Sequence, residues 1–273
     1  MSLITSRSNP KVKQARRLRQ RKARQSSGLF LVEGIRHVGE AVEAGADIEA
    51  LYYASDQLKS SFAHRLIDSQ AKIGTPCHAL STTHALATEV FASIAEKENP
   101  QGILAVVHQK HTRLDQLDAH NFDWGVALVS PQDPGNLGTI LRAIDSTGAS
   151  GLILLDDCVD PYHPNAVRAS MGALFWYPVV QASFSEFARW ASAQGYHIYG
   201  TSAHAHRDYR QVNSYARPRI LLMGSERQGL SPEQVTVCEQ VIRLPMLGHA
   251  TSLNLGVATG IFLYSMLAHD PAL

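Results

Sequence analysis

Three polar residues with regular spacing stand out in the stretch "DPGNLGTILRAI" (133–144). Asn136, Thr139 and Arg142 are three positions apart, so they would share one face of a helix. A helix that begins after a glycine-containing loop offers unpaired N–H groups to an anion such as phosphate, and Arg142 could contact the same anion. The alternative is a surface ion pair between Arg142 and Asp145. The spacing alone leaves both open.

A second candidate follows the apolar run "RILLM" (219–223), where "GSERQG" begins. Its two glycines allow a strand to end sharply and let backbone groups face a ligand. Glu226 between them could be catalytic, could bind an amine or could cap the next loop. A solvated surface carboxylate is the ordinary alternative.

The third candidate is "RLPMLGHATSLNLGVATGIF" (243–262), in which a loop of small and polar residues separates a strand from an apolar helix. This loop is longer than a simple turn requires. Serine is a favoured N-cap, so we expect Ser252 to cap a final helix that spans 253–268.

Two other chemistries receive weaker support. Gly135 and Asp156 are 21 residues apart, which is close to the acidic spacing of a dinucleotide fold. The fingerprint G-x-G-x-x-G is absent, however, so a nicotinamide-dependent enzyme stays only an alternative. The loop "DDCVDPYH" (156–163) and the "HAH" at 204–206 match no recognised zinc spacing, and we expect no metal. Arg168 follows that loop, near a strand's carboxyl end, where open α/β sheets bind ligands.

The composition limits the class of protein. The chain has 273 residues, 45% of them hydrophobic, and three widely spaced cysteines, Cys77, Cys158 and Cys238. Three cysteines without a CxxC pair argue against a disulfide framework and fit a reducing cytoplasm. The first residues contain no apolar run, so we expect no signal peptide. Its longest apolar run, 253–268, is shorter than the ~20 residues needed to cross a bilayer, so we expect no membrane span.

Positive charge is concentrated at the start of the chain. Residues 1–24 hold nine of the 25 Lys and Arg residues and no acid, which leaves the remainder with a balance of −8. A basic arm on an acidic body is typical of a protein that binds a polyanion, and we favour nucleic acid. A membrane surface or a merely solvated arm remains possible. The candidate RNA contacts are Arg7, Lys11, Lys13, Arg16 and Arg17, together with Arg168.

These residues must be positioned by alternating strands and helices, a pattern that predicts an α/β fold. A basic helix (9–24) precedes the first strands. "CHAL" (77–80) reads as a strand and "THALATEV" (83–90) as a helix. Non-alternating apolar runs in the second half predict parallel strands covered on both faces, at 125–129, 151–155, 177–181, 196–200, 219–223 and 240–244. A polar linker (109–122) separates a domain at 1–108 from one at 123–273.

Taken together, "DPGNLGTILRAI", "LLMGSERQGLS" and "RLPMLGHATSLNLGVATGIFLY" resemble the three motifs of the SpoU (TrmH-type) RNA ribose methyltransferases of the SPOUT superfamily, in family order and spacing. The resemblance covers 124–273. The first half, with "FLVEGIRHVGEA", resembles the RNA substrate-binding domain often attached in this family. The resemblance implies a parallel-sheet domain with a deep C-terminal trefoil knot, a smaller ribosomal-protein-like α/β domain, and a homodimer whose active sites draw on both chains.

The same resemblance implies the reaction and the residues that perform it. The activity would be S-adenosylmethionine-dependent methylation of a ribose 2′-hydroxyl in structured RNA, with ribosomal RNA favoured over tRNA. A non-catalytic RNA-binding protein that retains the fold is the alternative. The implied catalytic residues are Asn136, Arg142, Glu226, Ser252 and Asn254. The implied cofactor contacts, made largely by backbone groups, are Gly224, Leu244, Met246 and Leu253. We therefore expect the loop before the last helix to lie beside the "MGSE" loop.

Overall fold

A computed structural model describes residues 3–72 and 82–270. The chain divides into two compact units, Met1–Lys110 with Tyr162–Trp176, and His111–Pro161 with Tyr177–Leu273. Residues 162–176 thus belong to the first unit although the sequence pattern groups them with the second half. The predicted domain ranges remain a prediction. The predicted strand at 77–80 lies outside the described residues.

The described elements follow one another as the alternation predicts. The helices are α1 (Pro10–Arg17), α2 (Arg21–Ser27), α3 (Ile35–Glu43), α4 (Ser61–Lys72), α5 (Thr88–Ala92), α6 (Pro134–Thr147), α7 (Pro164–Ala169), α8 (Ala173–Trp176), α9 (Phe184–Ala193), α10 (Pro232–Thr236) and α11 (Leu255–Ala268). The strands are β1 (Leu29–Glu33), β2 (Ile48–Tyr53), β3 (Thr82–Ala85), β4 (Ile103–His108), β5 (Trp124–Val129), β6 (Gly151–Leu155), β7 (Val179–Ala182), β8 (His197–Thr201), β9 (Arg207–Asp208), β10 (Arg219–Met223) and β11 (Gln240–Arg243). Three short 3-10 helices lie at Ser55–Gln57, Leu114–Gln116 and Tyr209–Gln211.

The first unit has a sheet in the order β1-β4-β2-β3. Strand β4 is antiparallel to both neighbours, and β3 is parallel to β2. The predicted helix at 83–90 is wrong, because its first half pairs with β2 as β3 and only Thr88 onward is helical. Leu86 is buried, and its backbone N–H donates to Tyr53 at 2.8 Å, so tertiary pairing overrides the local pattern.

The basic segment folds as two helices rather than the single predicted one. Val12, Ala15 and Leu18 lie in the hydrophobic core of the first unit, so α1 packs on the body of the unit. Arg24 is almost fully buried and donates to the carbonyl oxygens of Leu18 and Arg19, both at 2.8 Å. These carbonyls end α1 and would otherwise lack a partner inside the helix. The segment is therefore an integral part of the unit.

The second unit contains a seven-stranded parallel sheet in the order β7-β6-β5-β10-β8-β11-β9. Every residue of β5, β6 and β10 is buried, as the apolar runs predict. The α/β class and the parallel sheet are confirmed. Strand β5 lies between β6 and β10, so the strand order reverses there, and open parallel sheets bind ligands at the carboxyl ends of such strands.

The final helix begins two residues later than predicted. Asn254, not Ser252, is its N-cap, and the Asn254 Oδ1 accepts hydrogen bonds from the N–H groups of Gly256 (2.9 Å) and Val257 (3.3 Å). Asparagine and serine cap helices about equally well, so local propensity could not choose between them. The predicted Ser252 cap is wrong.

Helix α11 lies against α6 at close range. A Cβ built on Gly256 would lie 3.0 Å from the Thr139 Cγ2, and one built on Gly260 would lie 4.0 Å from the Ala143 Cβ. The GxxxG spacing therefore serves helix packing. How the chain threads around α11 stays a prediction. Across the described parts of the chain, no helix combines the length and the apolar character needed to cross a membrane.

Candidate active site

Polar side chains from three distant segments meet at the carboxyl edge of the parallel sheet. Asn136 lies in the first turn of α6, Glu226 in the turn after β10, and Asn254 caps α11. The Asn254 Nδ2 donates to the Asn136 Oδ1 at 2.7 Å, and the Asn136 Nδ2 donates to the Glu226 Oε1 at 3.3 Å. We call this hydrogen-bonded set the amide chain: Asn254, Asn136 and Glu226.

The start of α6 places Asn136. Asp133 is the N-cap, and its Oδ1 accepts from the Asn136 N–H at 3.0 Å. Pro134 follows at the first helical position, where its fixed φ suits a helix start. Asn136 therefore sits, half-buried, in the first turn of the helix that follows β5, the strand at which the strand order reverses.

A tight turn after β10 places Glu226. Ser225 and Gly229 exchange backbone hydrogen bonds of 3.2 Å and 3.0 Å. A Cβ built on Gly224 would lie 2.2 Å from the Gly229 backbone carbon, so only glycine fits where the strand enters the turn. Glu226 is exposed, which leaves its second carboxylate oxygen accessible to a ligand.

The amide chain sets the orientation of each of its members. Because the Asn254 Oδ1 accepts from the first N–H groups of α11, its Nδ2 must face Asn136. The Asn136 Oδ1 is then the acceptor, and its Nδ2 faces Glu226. Hydrogen bonds in such a series polarise one another. The start of α11 is thereby linked through two amides to the carboxylate that follows β10.

The loop before α11 follows β11 and is mostly exposed. Leu244 and Met246 are half-buried, whereas Leu247 is 93% exposed and Leu253 is 40% exposed. Gly224 and Leu244 follow β10 and β11, which are separated only by β8, so they lie roughly 10 Å apart along the sheet edge. Ser252 is exposed, and its side chain makes no hydrogen bond to another residue of the described chain. The structure thus brings Asn254 into the amide chain and leaves Ser252 beside it.

Arg142 lies apart from the amide chain. It is exposed on α6, six residues after Asn136, which is roughly 9 Å further along the helix axis. The alternative ion pair with Asp145 is not formed between these two described residues. The Asp145 Oδ1 accepts instead from the Tyr177 hydroxyl at 3.1 Å. The guanidinium is therefore available to an external anion.

Asp156 has a structural role that does not need a dinucleotide. Its Oδ1 accepts from the Phe184 backbone N–H at 2.9 Å and so supports the start of α9. Within the described ranges, no group of three or more His, Cys, Asp or Glu side chains is arranged to hold a metal ion.

The predicted RNA contacts all lie in the first unit. Arg7, Lys11, Lys13 and Arg17 are exposed and Arg16 is half-buried. The Lys11 Nζ lies 3.0 Å from the His84 Nε2; burial lowers the pKa of His84 and the charge of Lys11 lowers it further. Two neighbouring cations have other roles, since Arg24 is buried and Arg19 lies 4.0 Å from Glu96.

Arg168 lies on α7 rather than at the carboxyl edge of the parallel sheet. Its side chain is exposed and its guanidinium donates to the Asn165 Oδ1 at 3.0 Å. The sequence places it after a strand's carboxyl end, but α7 packs in the first unit, whereas the amide chain belongs to the second.

A second polar network, which the sequence analysis does not predict, lies at the amino edge of the parallel sheet. Asp270, just after α11, pairs with Arg219 at 2.7 Å and with Arg217 at 2.5 Å. Arg217 also pairs with Asp123, and the Arg219 guanidinium lies 4.2 Å from the centre of the Trp124 ring. Burial lowers the pKa of Arg219, while the charge of Asp270 opposes that shift. The sequence signal for this network is a charged residue at the start of an apolar strand, as with Asp123 before β5 and Arg217 and Arg219 at β10.

Comparison with known proteins matches each half of the chain. The SpoU rRNA Methylase family model matches residues 123–264, and a model of the MRM3-like substrate binding domain matches residues 9–105. The 23S rRNA (uridine(2479)-2′-O)-methyltransferase of Streptomyces viridochromogenes is 33% identical over 89% of this chain and 84% of its own. The 23S rRNA (guanosine(2553)-2′-O)-methyltransferase RlmP of Bacillus subtilis is 29% identical over 97% of this chain and 99% of its own.

Solved structures agree with these matches. The crystal structure of an AdoMet-bound rRNA methyltransferase from Sinorhizobium meliloti superimposes with a TM-score of 0.87 at 34% identity, covering 98% of both chains. The AdoMet complex of the SpoU methyltransferase AviRb from Streptomyces viridochromogenes gives a TM-score of 0.83 at 30% identity, covering 95% of this chain and 97% of the other.

Proposed function

The chain belongs to the SpoU rRNA methylase family, and from this membership and the site geometry we propose that it methylates a ribose 2′-hydroxyl of ribosomal RNA. It is an RNA 2′-O-methyltransferase that uses S-adenosylmethionine as the methyl donor. The observation that carries the proposal is the amide chain, which links three separated sequence motifs at the ligand-binding edge of the sheet.

The residues present fit the methyl donor. Within the described chain, residues 246–253 take part in no backbone–backbone hydrogen bond, so eight consecutive residues offer free N–H and C=O groups. These groups face water in the exposed loop, and a bound adenosine and amino acid would supply protein-like partners in its place. Gly224 leaves no room for a side chain at the neighbouring strand end. We propose that S-adenosylmethionine binds between the end of β10 and the loop that follows β11. The residues that would hold it are Gly224, Leu244, Met246 and Leu253.

The donor supplies an already activated methyl group on a sulfonium, so the chain's own residues mainly position the acceptor. Asn254 is held by Asn136, and with the adjacent Ser252 hydroxyl it would orient the substrate ribose. Glu226 would present a fixed carboxylate oxygen to substrate or donor. The 2′-hydroxyl is a weak nucleophile whose proton must leave near the transition state.

Arg142 is a poor candidate for a free base, since the guanidinium of arginine stays protonated in proteins. Its exposed guanidinium suits the RNA phosphate next to the reacting ribose, where it would fix and polarise the hydroxyl. We therefore assign Arg142 to substrate positioning, together with the amide chain.

Ribosomal RNA is the preferred substrate for two reasons. Two relatives whose names specify a nucleotide are 23S rRNA methyltransferases, and the first half of the chain matches a substrate-binding domain model. We propose that the first domain (1–108) binds RNA through the exposed cations of α1. A cytoplasmic location is the matching expectation.

A homodimer is proposed from the exposed face of α11. Val257 is 49% exposed and Tyr264 is 54% exposed, and with Gly260 and Ile261 they border one groove beside Tyr209. Exposed apolar faces of this kind mark protein interfaces. A Tyr264→Lys variant should change from dimer to monomer in light scattering coupled to size exclusion.

The test of the proposed function is transfer of tritiated methyl groups from S-adenosylmethionine to RNA from cells that lack the gene. We expect incorporation into ribosomal RNA at nucleotides whose 3′ linkage resists alkaline hydrolysis, because methylation blocks the attacking 2′-hydroxyl, with little incorporation into tRNA. Arg142→Ala should lower the rate roughly 100-fold, because a misplaced reacting group can cost that much. Arg189→Ala, an exposed arginine on α9, is the matched control and should behave like wild type.

Other outcomes of this experiment would reject particular parts of the proposal. Label in tRNA alone would reject the ribosomal assignment. RNA binding without any methyl transfer would favour the non-catalytic alternative. Full activity of Arg142→Ala would reject the role given to Arg142. Stabilisation by S-adenosylhomocysteine, and not by NAD, is expected in a thermal shift assay.

A further inference from the structure

Trp176 is a large aromatic residue of the first unit with its ring unusually accessible. It is 47% exposed, whereas Trp124 is 1% exposed and Trp190 is half-buried and donates to the Leu117 carbonyl. Tryptophan side chains bury large areas when they pack in a core. An exposed one in a well-packed unit therefore points to a partner that covers it.

The edge of the indole is held in place. The Trp176 Nε1–H donates to the Glu40 Oε2 at 3.2 Å. Glu40 is itself positioned by Gly172, at which an added Cβ would lie 2.6 Å from the Glu40 Cγ. Gly172 has a φ of +109°, so any other residue would be strained there as well. The ring is thus fixed along one edge while about half of its surface stays accessible.

The segment that carries Trp176 is anchored at both ends. Tyr162 packs on Phe30 with ring centroids 4.6 Å apart, and its hydroxyl donates to the Lys110 carbonyl at 2.7 Å. Phe175, next to Trp176, stacks on the same Phe30 ring with centroids 6.2 Å apart. An aromatic ring on such a support loses little conformational entropy when a ligand binds to it.

Cations surround the adjoining turn of α3. His37 lies one turn before Glu40, and its Nε2–H donates to the Arg168 carbonyl at 3.1 Å. Lys97 and Arg168 line one cavity with His37. Burial lowers the pKa of His37, while its hydrogen bond to the Arg168 carbonyl opposes that shift. Arg36 is four residues before Glu40 and shares its face of α3. Charged side chains therefore lie on and around α3, the helix that bears Glu40, the hydrogen-bond acceptor of Trp176.

We propose that Trp176 is a stacking platform for an unpaired nucleobase of the RNA substrate, with Arg36, Lys97 and Arg168 facing the adjoining phosphates. The inference rests on the proposed function and adds a subsite remote in sequence from the three motifs. RNA is recognised largely through splayed bases that stack on aromatic side chains. A fixed, half-exposed indole beside cations supplies both parts of such a contact, and it requires no deep pocket.

The test uses the full-length protein and a fluorescein-labelled 12-nucleotide oligoadenylate, with binding followed by anisotropy. One stacked base contributes about 1–3 kcal/mol, so Trp176→Ala should weaken binding by about 5- to 150-fold. Trp176→Phe should retain most of the affinity, since phenylalanine keeps a stacking face. Phe62→Ala is the matched control, because Phe62 is 44% exposed in the same unit, and it should bind like wild type.

Two further readouts separate stacking from general damage. Subtracting the tryptophan fluorescence of Trp176→Phe from that of wild type isolates the emission of Trp176. The oligonucleotide should quench this emission, and acrylamide should quench it in the RNA-free protein. Glu40→Leu removes the acceptor that orients the ring and should weaken binding several-fold. Glu40→Gln keeps an acceptor oxygen for the indole N–H and should bind the oligonucleotide nearly as tightly as wild type.

The proposal is overturned if Trp176→Ala binds the oligonucleotide as wild type does, or if Phe62→Ala loses as much affinity. It is also overturned if Trp176 is shielded from acrylamide in the RNA-free protein, which would mean that a second copy covers the ring. When wild type methylates ribosomal RNA but Trp176→Ala is unaffected, only this inference fails. When wild type neither binds nor methylates RNA, the proposed function fails with it.

Discussion

The two edges of the parallel sheet contain polar networks of opposite character, and α11 joins them. At the carboxyl edge, Asn254 at the start of α11 forms an amide chain with Asn136 and Glu226, in which only Glu226 is charged and every member is at least partly exposed. At the amino edge, Asp270 just beyond α11 forms ion pairs with Arg219 and Arg217, and the side chains of Asp270 and Arg219 are fully buried.

The difference in burial and charge indicates that the two edges have different roles. Exposed amides can exchange partners with a ligand at little cost, since each neutral hydrogen bond contributes only about 0.5–1.5 kcal/mol net. A buried ion pair cannot, because removing one partner leaves an uncompensated charge in a medium of low dielectric constant. We infer that the carboxyl edge serves binding and chemistry, while the amino edge anchors the end of α11.

The largest expected effect is loss of stability in Asp270→Ala. Breaking a buried pair by removing one partner costs about 3–5 kcal/mol, and here it leaves Arg219 without its carboxylate. For a domain of this size we expect Tm to fall by roughly 6–20 °C, measured by calorimetry. Asp270 is 16 residues from Asn254, roughly 24 Å along the helix, so the folded fraction should keep its methyl transfer rate at low temperature.

Asp123→Ala is the control for that variant. Asp123 pairs with the same Arg217, but its side chain is 42% exposed, so its removal should cost no more than about 1 kcal/mol. Equal losses for the two variants, or loss of catalytic rate in properly folded Asp270→Ala, would remove the proposed division between the edges.

The second effect is a loss of rate in Asn136→Ala. Without Asn136, neither Asn254 nor Glu226 has its partner in the amide chain, and we expect kcat/KM to fall about 10- to 100-fold. The free energy of unfolding should change by only about 1–2 kcal/mol, as measured in urea. Ser146→Ala, on the exposed side of the same helix, should match wild type in both measurements. A large stability loss with unchanged kcat/KM would assign Asn136 to the scaffold.

A third pair of variants examines how α11 is seated between the edges. Gly256→Ala would place a Cβ 3.0 Å from the Thr139 Cγ2, and such overpacking typically costs about 1–3 kcal/mol. Gly260→Ala would place its Cβ at an ordinary 4.0 Å from Ala143 and should stabilise α11 by about 0.5–1 kcal/mol through helix propensity. In urea unfolding, the free energy of unfolding should therefore fall in Gly256→Ala and rise in Gly260→Ala. A change in the same direction for both variants would contradict the close approach at Gly256.

The smallest effect concerns an ion pair at the end of β9, in which Asp208 is nearly buried and Arg210 is exposed. Hydrogen bonds from the Arg210 side chain lower the pKa of Asp208 to about 2, although Arg210 is 61% exposed. The unfolded carboxyl has a pKa of about 3.9, so this contribution is present above that pH and is lost as the pH falls through about 2. Asp208→Asn keeps the backbone cap and removes the charge. Its Tm difference from wild type should be small at neutral pH and vanish toward pH 2; a difference that grows on acidification would contradict the assignment.

Much of the fold follows from local sequence. Strands β6 and β10 have the predicted bounds, since uninterrupted apolar runs between turn residues admit few other structures. Helix α6 starts where Asp133 and Pro134 supply a cap and a suitable first residue. Local signals failed where two residues compete for one role, as Ser252 and Asn254 do, or where pairing with a neighbouring strand converts a helical pattern into β3.

The sequence by itself determined the α/β class, the parallel strands, the three motifs and the residue types available for chemistry. Only the tertiary structure decided that Asn136 bonds to Glu226, 90 positions away, and to Asn254, 118 positions away. It also decided that Arg24 is buried as a cap for α1, and that residues 162–176 pack with the first unit. The physical reason is range: periodicity, caps and turns act over a few residues, whereas these contacts depend on which strands lie side by side in the completed sheet.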